Sequence, residues 1–407
     1  MDKDSSDMRY HIDLDLTKNT VRASKKISII VNDLIETKES DKGVLEIQGY
    51  SFPIGHDKKD TKDKIFFDKF LLDDEGKYNY LKSNYQIIFS GNATILKKEK
   101  DDLSRLLKIN SFSRICRLAG ILKAYKTESH IQDLLSLCDF DIFLRSSIIR
   151  LFPSIEIFVK NNFSNYMLNT YKSLSENPIP EIATFYLDPN IYTPKFVNNG
   201  GLERMLSQFA EEIIRQKKSE KIVQTLICES GGSIPSWILF EEITFGEFNT
   251  LITQLKVGIQ KQYEEYLLGG LLSQHGHRIV SNLNTVQILR NSASHLSLIY
   301  GKKFAYSPKM TEKFWQDFNY WGSNIDESKI DTLTHSLFSG LYTMKIFYSL
   351  MPHNEVKHWD TFVKKLNQRI QDGNYSSINN REEGFILIKG EMGFPKNWYD
   401  LLYIPNN

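Results

Sequence analysis

The sequence predicts a mainly α-helical protein, an antiparallel helical bundle with a small β-containing module at its N-terminus. From about residue 95 onward, apolar residues such as Ile131, Leu135, Cys138 and Ile142 recur at spacings close to the helical period. Before residue 92, alternating or β-branched stretches occur at residues 9–16, 26–31, 43–47 and 85–90, between charged, turn-like segments. The 25 Phe and 20 Tyr residues supply ample material for a large core.

The 407-residue chain is long for one small core, so we expect more than one unit. We predict a mixed or β-rich module at residues 1–92, whose role the sequence does not reveal, and a helical domain at residues 93–351. Residues 352–407 are expected to be a C-terminal extension that packs on the bundle. Within the helical domain, Pro153 is expected to end or kink a helix.

Composition argues against several classes of protein. Hydrophobic residues make up 41% and charged residues 25% of the chain, as in soluble globular proteins. There is no apolar run of about 18 residues, and the charged N-terminus lacks a secretory signal, so we expect no membrane contact and a cytoplasmic location. Cys116, Cys138 and Cys228 fit neither a disulfide framework nor a zinc site, and each is expected to be a buried thiol.

The net charge of +1 does not indicate a nucleic-acid-binding protein, but the charge is unevenly distributed. Residues 97–126 hold nine Lys or Arg and three acidic residues, a pattern that fits either phosphate contacts or a solvated helical face. The candidate RNA contacts are Lys97, Lys98, Arg114, Arg117, Lys123, Lys126, Lys302 and Lys303.

The segment of residues 281–300 carries the strongest helical pattern near a chemical motif. It is expected to be one helix that stops at Gly301. Its apolar stripe consists of Leu283, Val286, Leu289, Ala293, Leu296 and Tyr300.

Inside this segment, Arg290 and His295 lie five residues apart, about 140° around an ideal helix. Arginine keeps its proton and presents a planar fork of donors that suits a phosphate, whereas histidine titrates near neutrality and moves protons. The two together are sufficient for metal-independent RNA cleavage by the substrate's own 2′-hydroxyl group. The spacing alone is weak, because a histidine beside an apolar stripe is usually structural.

The surrounding sequence resembles a known family. Residues 290–295 (RNSASH) resemble the R-N-x-x-x-H signature of HEPN ribonucleases, in the variety found in Abi-like (AbiD/AbiF-type) abortive-infection proteins. In the same order, three further stretches are similar to that family: residues 139–145 (DFDIFLR) with Glu156, residues 235–241 (PSWILFE) with Phe245-Gly246, and residues 392–398 (MGFPKNW). The chain departs from the family pattern at residues 111–118, at Cys138 and over the first 92 residues.

The resemblance implies a HEPN-type helical bundle that forms a homodimer, with Arg290 and His295 of both subunits in one cleft. His295 would be the general base or acid, and Arg290 would clamp the phosphate. Asn291 either orients the phosphate or His295, or only bonds the backbone. Glu241 either pairs with Arg290 or forms a salt bridge between helices.

Other candidate residues are assigned supporting roles. Asp141, Arg145 and Glu156 are expected to form a polar packing network, and Trp237, Phe394 and Trp398 to be core anchors. No metal ligand set and no cofactor motif is predicted; the pairs His275/His277 and His353/His358 lack partners at metal-ligand spacing.

The predicted function is therefore an endoribonuclease effector of phage defence that acts on RNA and leaves 2′,3′-cyclic phosphates and 5′-hydroxyl groups. Such an enzyme needs restraint, from an inhibitory RNA, a protein partner or the N-terminal module. The alternative is a catalytically inactive HEPN protein that binds RNA or a partner.

Overall fold

The computed structural model describes residues 10–15, 20–27, 44–47 and 50–53 by their backbone alone. It further describes residues 73–125, 128–216, 219–229, 233–269, 278–295, 297–305, 308, 310, 315, 318, 327–371 and 390–405. The chain divides into two compact units, Met1–Lys77 and Tyr78–Asn407. The division after Lys77 therefore falls before the predicted boundary at residue 92. Residues 352–405, predicted as a C-terminal extension, belong to the second unit.

The first unit contains two antiparallel strand pairs. Strand β1 (Tyr10–Asp15) pairs with β2 (Thr20–Ile27), with an irregularity in register between Tyr10 and Ile12. Strand β3 (Val44–Ile47) pairs with β4 (Tyr50–Pro53). The prediction of a β-containing N-terminal module is thus confirmed. Strands β1 and β3 lie within the expected stretches 9–16 and 43–47, a short strand at Ile87–Ile88 lies within 85–90, and β2 reaches into 26–31, of which residues 28–31 lie outside the described part of the chain.

The rest of the described chain is mainly helical, which confirms the predicted fold class. A short parallel pair joins β5 (Ile87–Ile88) to β6 (Ser129–His130). The first helices are α1 (Asp74–Tyr85), α2 (Ala93–Leu107), α3 (Phe112–Tyr125), α4 (Ile131–Leu174), α5 (Pro194–Asn198), α6 (Gly201–Gln216), α7 (Lys221–Glu229) and α8 (Ser236–Glu242). They are followed by α9 (Phe245–Gln254), α10 (Val257–Leu268), α11 (Arg278–Ser294), α12 (Glu327–Thr334), α13 (Leu337–Tyr348), α14 (His353–Gln371) and α15 (Trp398–Leu402). Two 3-10 segments, Ile182–Leu187 and Pro189–Ile191, lie between α4 and α5.

Helix α4 is the central element, and α3, α8, α10, α11 and α14 all pack against it. It runs for 44 residues with Pro153 inside, so of the two expected effects of Pro153, an end or a kink, the helix end is excluded. A proline in a helix interior loses one hydrogen bond to the carbonyl four residues earlier. Buried side chains on both sides of it, Leu151, Phe152 and Ile155, continue the packing and offset that loss.

The core around the second half of α4 is aromatic. The ring of Phe163, which is fully buried, lies within 5.9 Å of the rings of Phe185, Phe240, Phe248 and Tyr263, centroid to centroid. These rings come from the 3-10 segment, α8, α9 and α10, so a single side chain on α4 joins four later elements.

The C-terminal segment contributes buried aromatic residues, as predicted, in contacts separate from the Phe163 cluster. Phe394 and Trp398 are buried. The indole of Trp359 on α14 donates to the carbonyl oxygen of Leu402 at 2.7 Å. Trp237 was also predicted to be a core anchor. This prediction is wrong, because 44% of the Trp237 surface is exposed on α8. The helix instead buries Ile238, Leu239 and Phe240.

The cysteine expectation holds for two of three residues. Cys116 and Cys138 are buried free thiols, whereas Cys228 is exposed near the end of α7. Helix α7 buries Val223 but leaves much of its surface to solvent, which explains why a residue type that is usually inside is exposed here. Among the described helices, none is long and apolar enough to cross a membrane.

We expect Phe163→Ala to lower the free energy of unfolding by about 3–5 kcal/mol, because it opens a cavity lined by four aromatic rings. Urea unfolding followed by circular dichroism measures this loss. Ile157→Ala on the same helix is the control, since Ile157 is 61% exposed and its truncation should change stability by less than about 0.5 kcal/mol. Equal losses in the two variants would contradict the central role of Phe163.

Candidate active site

Helix α11 carries the Arg290–His295 motif and is fixed by its buried face. Leu283, Val286, Leu289 and Ala293 are buried, as the predicted stripe requires, and Leu296 lies outside the described residues. This face packs against α4, α9 and α13. On the side toward α9, the amide of Asn249 donates to the Asn284 Oδ1 at 2.7 Å. These contacts fix the rotation of α11 about its own axis. They therefore also fix the direction in which the motif residues point.

The helix ends earlier than its sequence pattern predicts. Helix α11 stops at Ser294, not at Tyr300. The amide of His295 still donates to the Asn291 carbonyl oxygen at 2.9 Å, but the amide of Ser297 reaches back to Ser292 at 3.1 Å, one residue further than an α-helix requires. The chain has then left the helical path, and Gly301 follows with a positive φ of 66°.

The physical reason lies in the carboxylate of Asp141 on α4. Its Oδ1 accepts hydrogen bonds from the amides of Ile299 at 2.8 Å and Tyr300 at 2.9 Å. These two amides would donate to helix carbonyls if α11 continued. A buried anion is a stronger acceptor than a peptide carbonyl, so the segment after His295 extends toward α4 instead.

The other oxygen of Asp141 is balanced by two arginines. Asp141 is fully buried, and its Oδ2 forms an ion pair with Arg114 from α3, which is also buried. The Arg145 Nε lies 3.3 Å from the same oxygen, without the alignment of a hydrogen bond. Burial, and then repulsion from Arg114, lowers the pKa of Arg145. Burial, and then the charge of Asp141, raises the pKa of the Cys138 thiol to about 12.

We call these three residues, Asp141, Arg114 and Arg145, the Asp141 cluster. It confirms that Asp141 and Arg145 belong to a polar network, and it corrects two predictions. Arg114 was a candidate RNA contact, but it is buried in this cluster. Glu156 belongs to a separate contact: its Oε1 accepts from the Lys160 ammonium at 2.5 Å, and Lys160 also donates to the Ile243 carbonyl at 2.7 Å.

Arg290 and His295 occupy different environments at the end of α11. Arg290 is half-buried; its Cζ lies 5.5 Å from the centroid of the Phe152 ring, and its Nη1 donates to the Asn291 Oδ1 at 3.0 Å. Asn291 therefore orients the arginine side chain. His295 is exposed, just beyond the helix end. The motif thus pairs a positioned cation with a solvent-accessible titratable group.

Neither expected alternative for Glu241, an ion pair with Arg290 or a salt bridge between helices, is formed among the described residues. Glu241 is exposed on α8. The Arg290 guanidinium instead contacts Asn291 and Phe152. The neighbour of Glu241, Glu242, has a raised pKa because of burial first and then repulsion from Glu220 and Glu241.

A further cation, Lys302, lies beside the motif. It follows Ile299 and Tyr300, whose amides donate to Asp141. The Lys302 ammonium donates to the hydroxyl of Ser292, inside the motif, at 2.8 Å. Burial, and then repulsion from Arg117 on α3, lowers the pKa of Lys302. The sequence predicted Lys302 only as one of eight candidate RNA contacts. No local signal identifies its position, because the turn at residues 297–301 brings it back to the helix.

The remaining candidate RNA contacts are spread along the surface. Lys97 and Lys98 are exposed on α2, Lys303 is exposed after the motif, and Lys123 on α3 donates to the Asn84 carbonyl at 2.9 Å. Lys126 lies outside the described residues. Among the candidate RNA contacts, Lys302 donates to Ser292 in the motif, and Arg117 lies close enough to Lys302 to lower its pKa.

The described residues contain no group of three His, Cys, Asp or Glu side chains that would hold a metal ion. His353 and His358, both on α14, belong to that part of the chain, whereas His275 and His277 lie outside it.

The fold and site define a mainly α-helical protein whose candidate catalytic residues lie at the end of helix α11. Comparison with known families gives one match: residues 105–301 fit the model of the Abi-like proteins. This match supports an Abi-like assignment for the region, which includes the Asp141 cluster, Arg290 and His295. No curated protein and no solved structure matches the chain.

We expect Asp141→Asn to destabilise the protein by about 3–5 kcal/mol, because it leaves two arginines without their buried counter-charge. Hydrogen exchange should also speed up at the amides of Ile299 and Tyr300. The control is Asp139→Asn, two residues away, whose ion pair with Arg369 is largely exposed and should contribute about 1 kcal/mol or less. If the Ile299 and Tyr300 amides stay as protected as in the wild type, the anchoring role of Asp141 is wrong.

Proposed function

We propose that the protein is a metal-independent endoribonuclease of HEPN type that serves as an effector of abortive-infection phage defence. The single observation that carries this proposal is the placement of Arg290 and His295 at the end of α11, inside the region that matches Abi-like proteins. Arg290 is held by a neighbouring side chain, whereas His295 is open to solvent. This combination suits a substrate that brings its own nucleophile.

The proposed reaction is cleavage of RNA by its 2′-hydroxyl group. The 2′-oxygen loses its proton and attacks the adjacent phosphorus, the bond from phosphorus to the 5′-oxygen breaks, and the leaving oxygen gains a proton. The products are a 2′,3′-cyclic phosphate and a 5′-hydroxyl. His295 moves one of these protons. Arg290 binds the non-bridging oxygens, on which negative charge accumulates in the transition state.

Two neighbours support the pair. Asn291 holds the Arg290 guanidinium through its Oδ1 at 3.0 Å, which reduces the conformational freedom lost when the phosphate binds. Lys302, attached to Ser292, adds a cation beside the motif. A lysine that is partly desolvated attracts a phosphate more strongly than one in bulk water.

A homodimer completes this proposal. One histidine provides only one of the two proton transfers at a time, so a second His295 from a partner subunit would supply the other. His295 is exposed and Arg290 half-buried at the helix end, which leaves both available to a second copy of the chain. Sedimentation equilibrium of the full chain should give a dimer.

An inhibitory RNA or protein partner would restrain the enzyme before infection.

We expect both His295→Ala and Arg290→Ala to lower the rate of RNA cleavage at least about 100-fold, because each removes a group that acts in the transition state. The assay uses purified protein in EDTA with end-group analysis of the products. Ser294→Ala is the control, since Ser294 is an exposed neighbour with no proposed part in the reaction.

Cyclic phosphate ends that disappear in both variants and persist in Ser294→Ala are the expected result. Cleavage that survives in His295→Ala would place the reaction elsewhere. If the wild type binds RNA but neither cuts it nor slows growth on expression, the protein is a catalytically inactive RNA-binding member of this class.

We expect Lys302→Gln to lower kcat/KM for RNA about tenfold, which corresponds to about 1.4 kcal/mol of lost transition-state binding. A plot of log(kcat/KM) against log salt should also become less steep, by about the amount that one phosphate contact contributes. Lys357→Gln on α14, which removes an equal charge at an exposed position, is the control. Equal effects in both variants would mean that Lys302 contributes only to the overall positive charge and does not contact the RNA at the motif.

A further inference from the structure

A concave site lies between α4 and α14, and its lining includes no residue of the Arg290–His295 motif. It is a cleft of about 680 Å³ lined by Asp139, Phe143 and Arg150 from α4 and by Lys365, Gln368 and Arg369 from α14. Clefts of this size hold small-molecule ligands in many proteins. None of these residues belongs to the proposed reaction, so the cleft requires a separate explanation.

The cleft is positively charged, and one of its cations is held in place. Arg369 forms an ion pair with Asp139, and its Cζ lies 4.8 Å from the centroid of the Phe143 ring. The Phe143 ring is in turn stacked on Phe362 at 6.1 Å. The carboxylate therefore orients Arg369 and cancels only one of three positive charges.

The other two cations have no acidic partner among the described residues. Arg150 and Lys365 are exposed at the cleft and form no ion pair within that part of the chain. Two unpaired positive charges that line one cleft repel, and a bound anion reduces this repulsion. Arginine and lysine together bind phosphate through a planar fork and a compact point charge.

This cleft is distinct from the reaction site. Arg150 and Phe152 lie two residues apart on α4, about 200° around the helix. Phe152 contacts the Arg290 guanidinium, so Arg150 lies on the opposite face of α4. A small ligand bound by Arg150 does not reach Arg290, and its effect on the enzyme would pass through α4.

We propose that the cleft between α4 and α14 binds a phosphorylated small molecule of nucleotide size. Arg150 and Lys365 contact the phosphate groups, Arg369 supplies a third cation, a prepositioned guanidinium, and Gln368 adds a neutral amide to the same lining. Two unpaired cations suit one phosphate chain, whereas a nucleic-acid strand is bound through a longer series of phosphate contacts.

The test is isothermal titration of the full chain with ATP, with pyrophosphate and with a 12-nucleotide single-stranded RNA. All proteins carry His295→Ala, so that RNA is not cut and the result does not depend on the proposed ribonuclease activity. The double variant R150Q/K365Q is compared with R105Q/K261Q, which makes the same substitutions at exposed positions outside the cleft.

We expect ATP or pyrophosphate to bind, with a Kd at least tenfold weaker in R150Q/K365Q and changed less than twofold in R105Q/K261Q. Unchanged thermal unfolding of both double variants shows that each is folded. The proposal is overturned if neither phosphate compound binds, if both double variants bind alike, or if only the RNA binds in a manner that depends on Arg150 and Lys365.

Discussion

The carboxylate of Asp141 is the interaction on which the geometry of the candidate site depends. One of its oxygens accepts two backbone amides from the segment after His295, and the other is paired with Arg114. A buried carboxylate is costly unless each oxygen is satisfied, and here α3, α4 and the chain after α11 all contribute to that compensation. The end of the motif helix, the exposure of His295 and the approach of Lys302 to Ser292 follow from this arrangement.

Helix α4 connects the two charged regions of the protein. Its face with Asp141 and Phe152 supports the motif helix, and its face with Phe143 and Arg150 lines the cleft toward α14. Because a single continuous helix carries both faces through Pro153, a shift of α4 on ligand binding would be felt at both. The proposed ribonuclease and the proposed phosphate site therefore share a scaffold without sharing a side chain.

Several sequence-based expectations failed for related physical reasons. The apolar period continues through Tyr300, which is buried, yet the helix ends at Ser294 because a carboxylate distant in sequence captures the next amides. Arg114 belongs to a basic stretch that resembles a phosphate-binding surface, but its partner Asp141 lies 27 residues away. Periodicity and local charge describe which face a residue occupies, not which distant group it meets.

The sequence by itself determined the helical class of the protein, the buried stripe of α11 and the family resemblance that the match over residues 105–301 supports. These properties are local, since they depend on residue spacing within one segment. Tertiary structure decided where α11 ends, which basic residues are buried, that Phe152 on α4 lies beside the Arg290 guanidinium, and that Arg150 and Lys365 line one cleft. Such outcomes depend on contacts between segments far apart in the chain, whose distances no local pattern encodes.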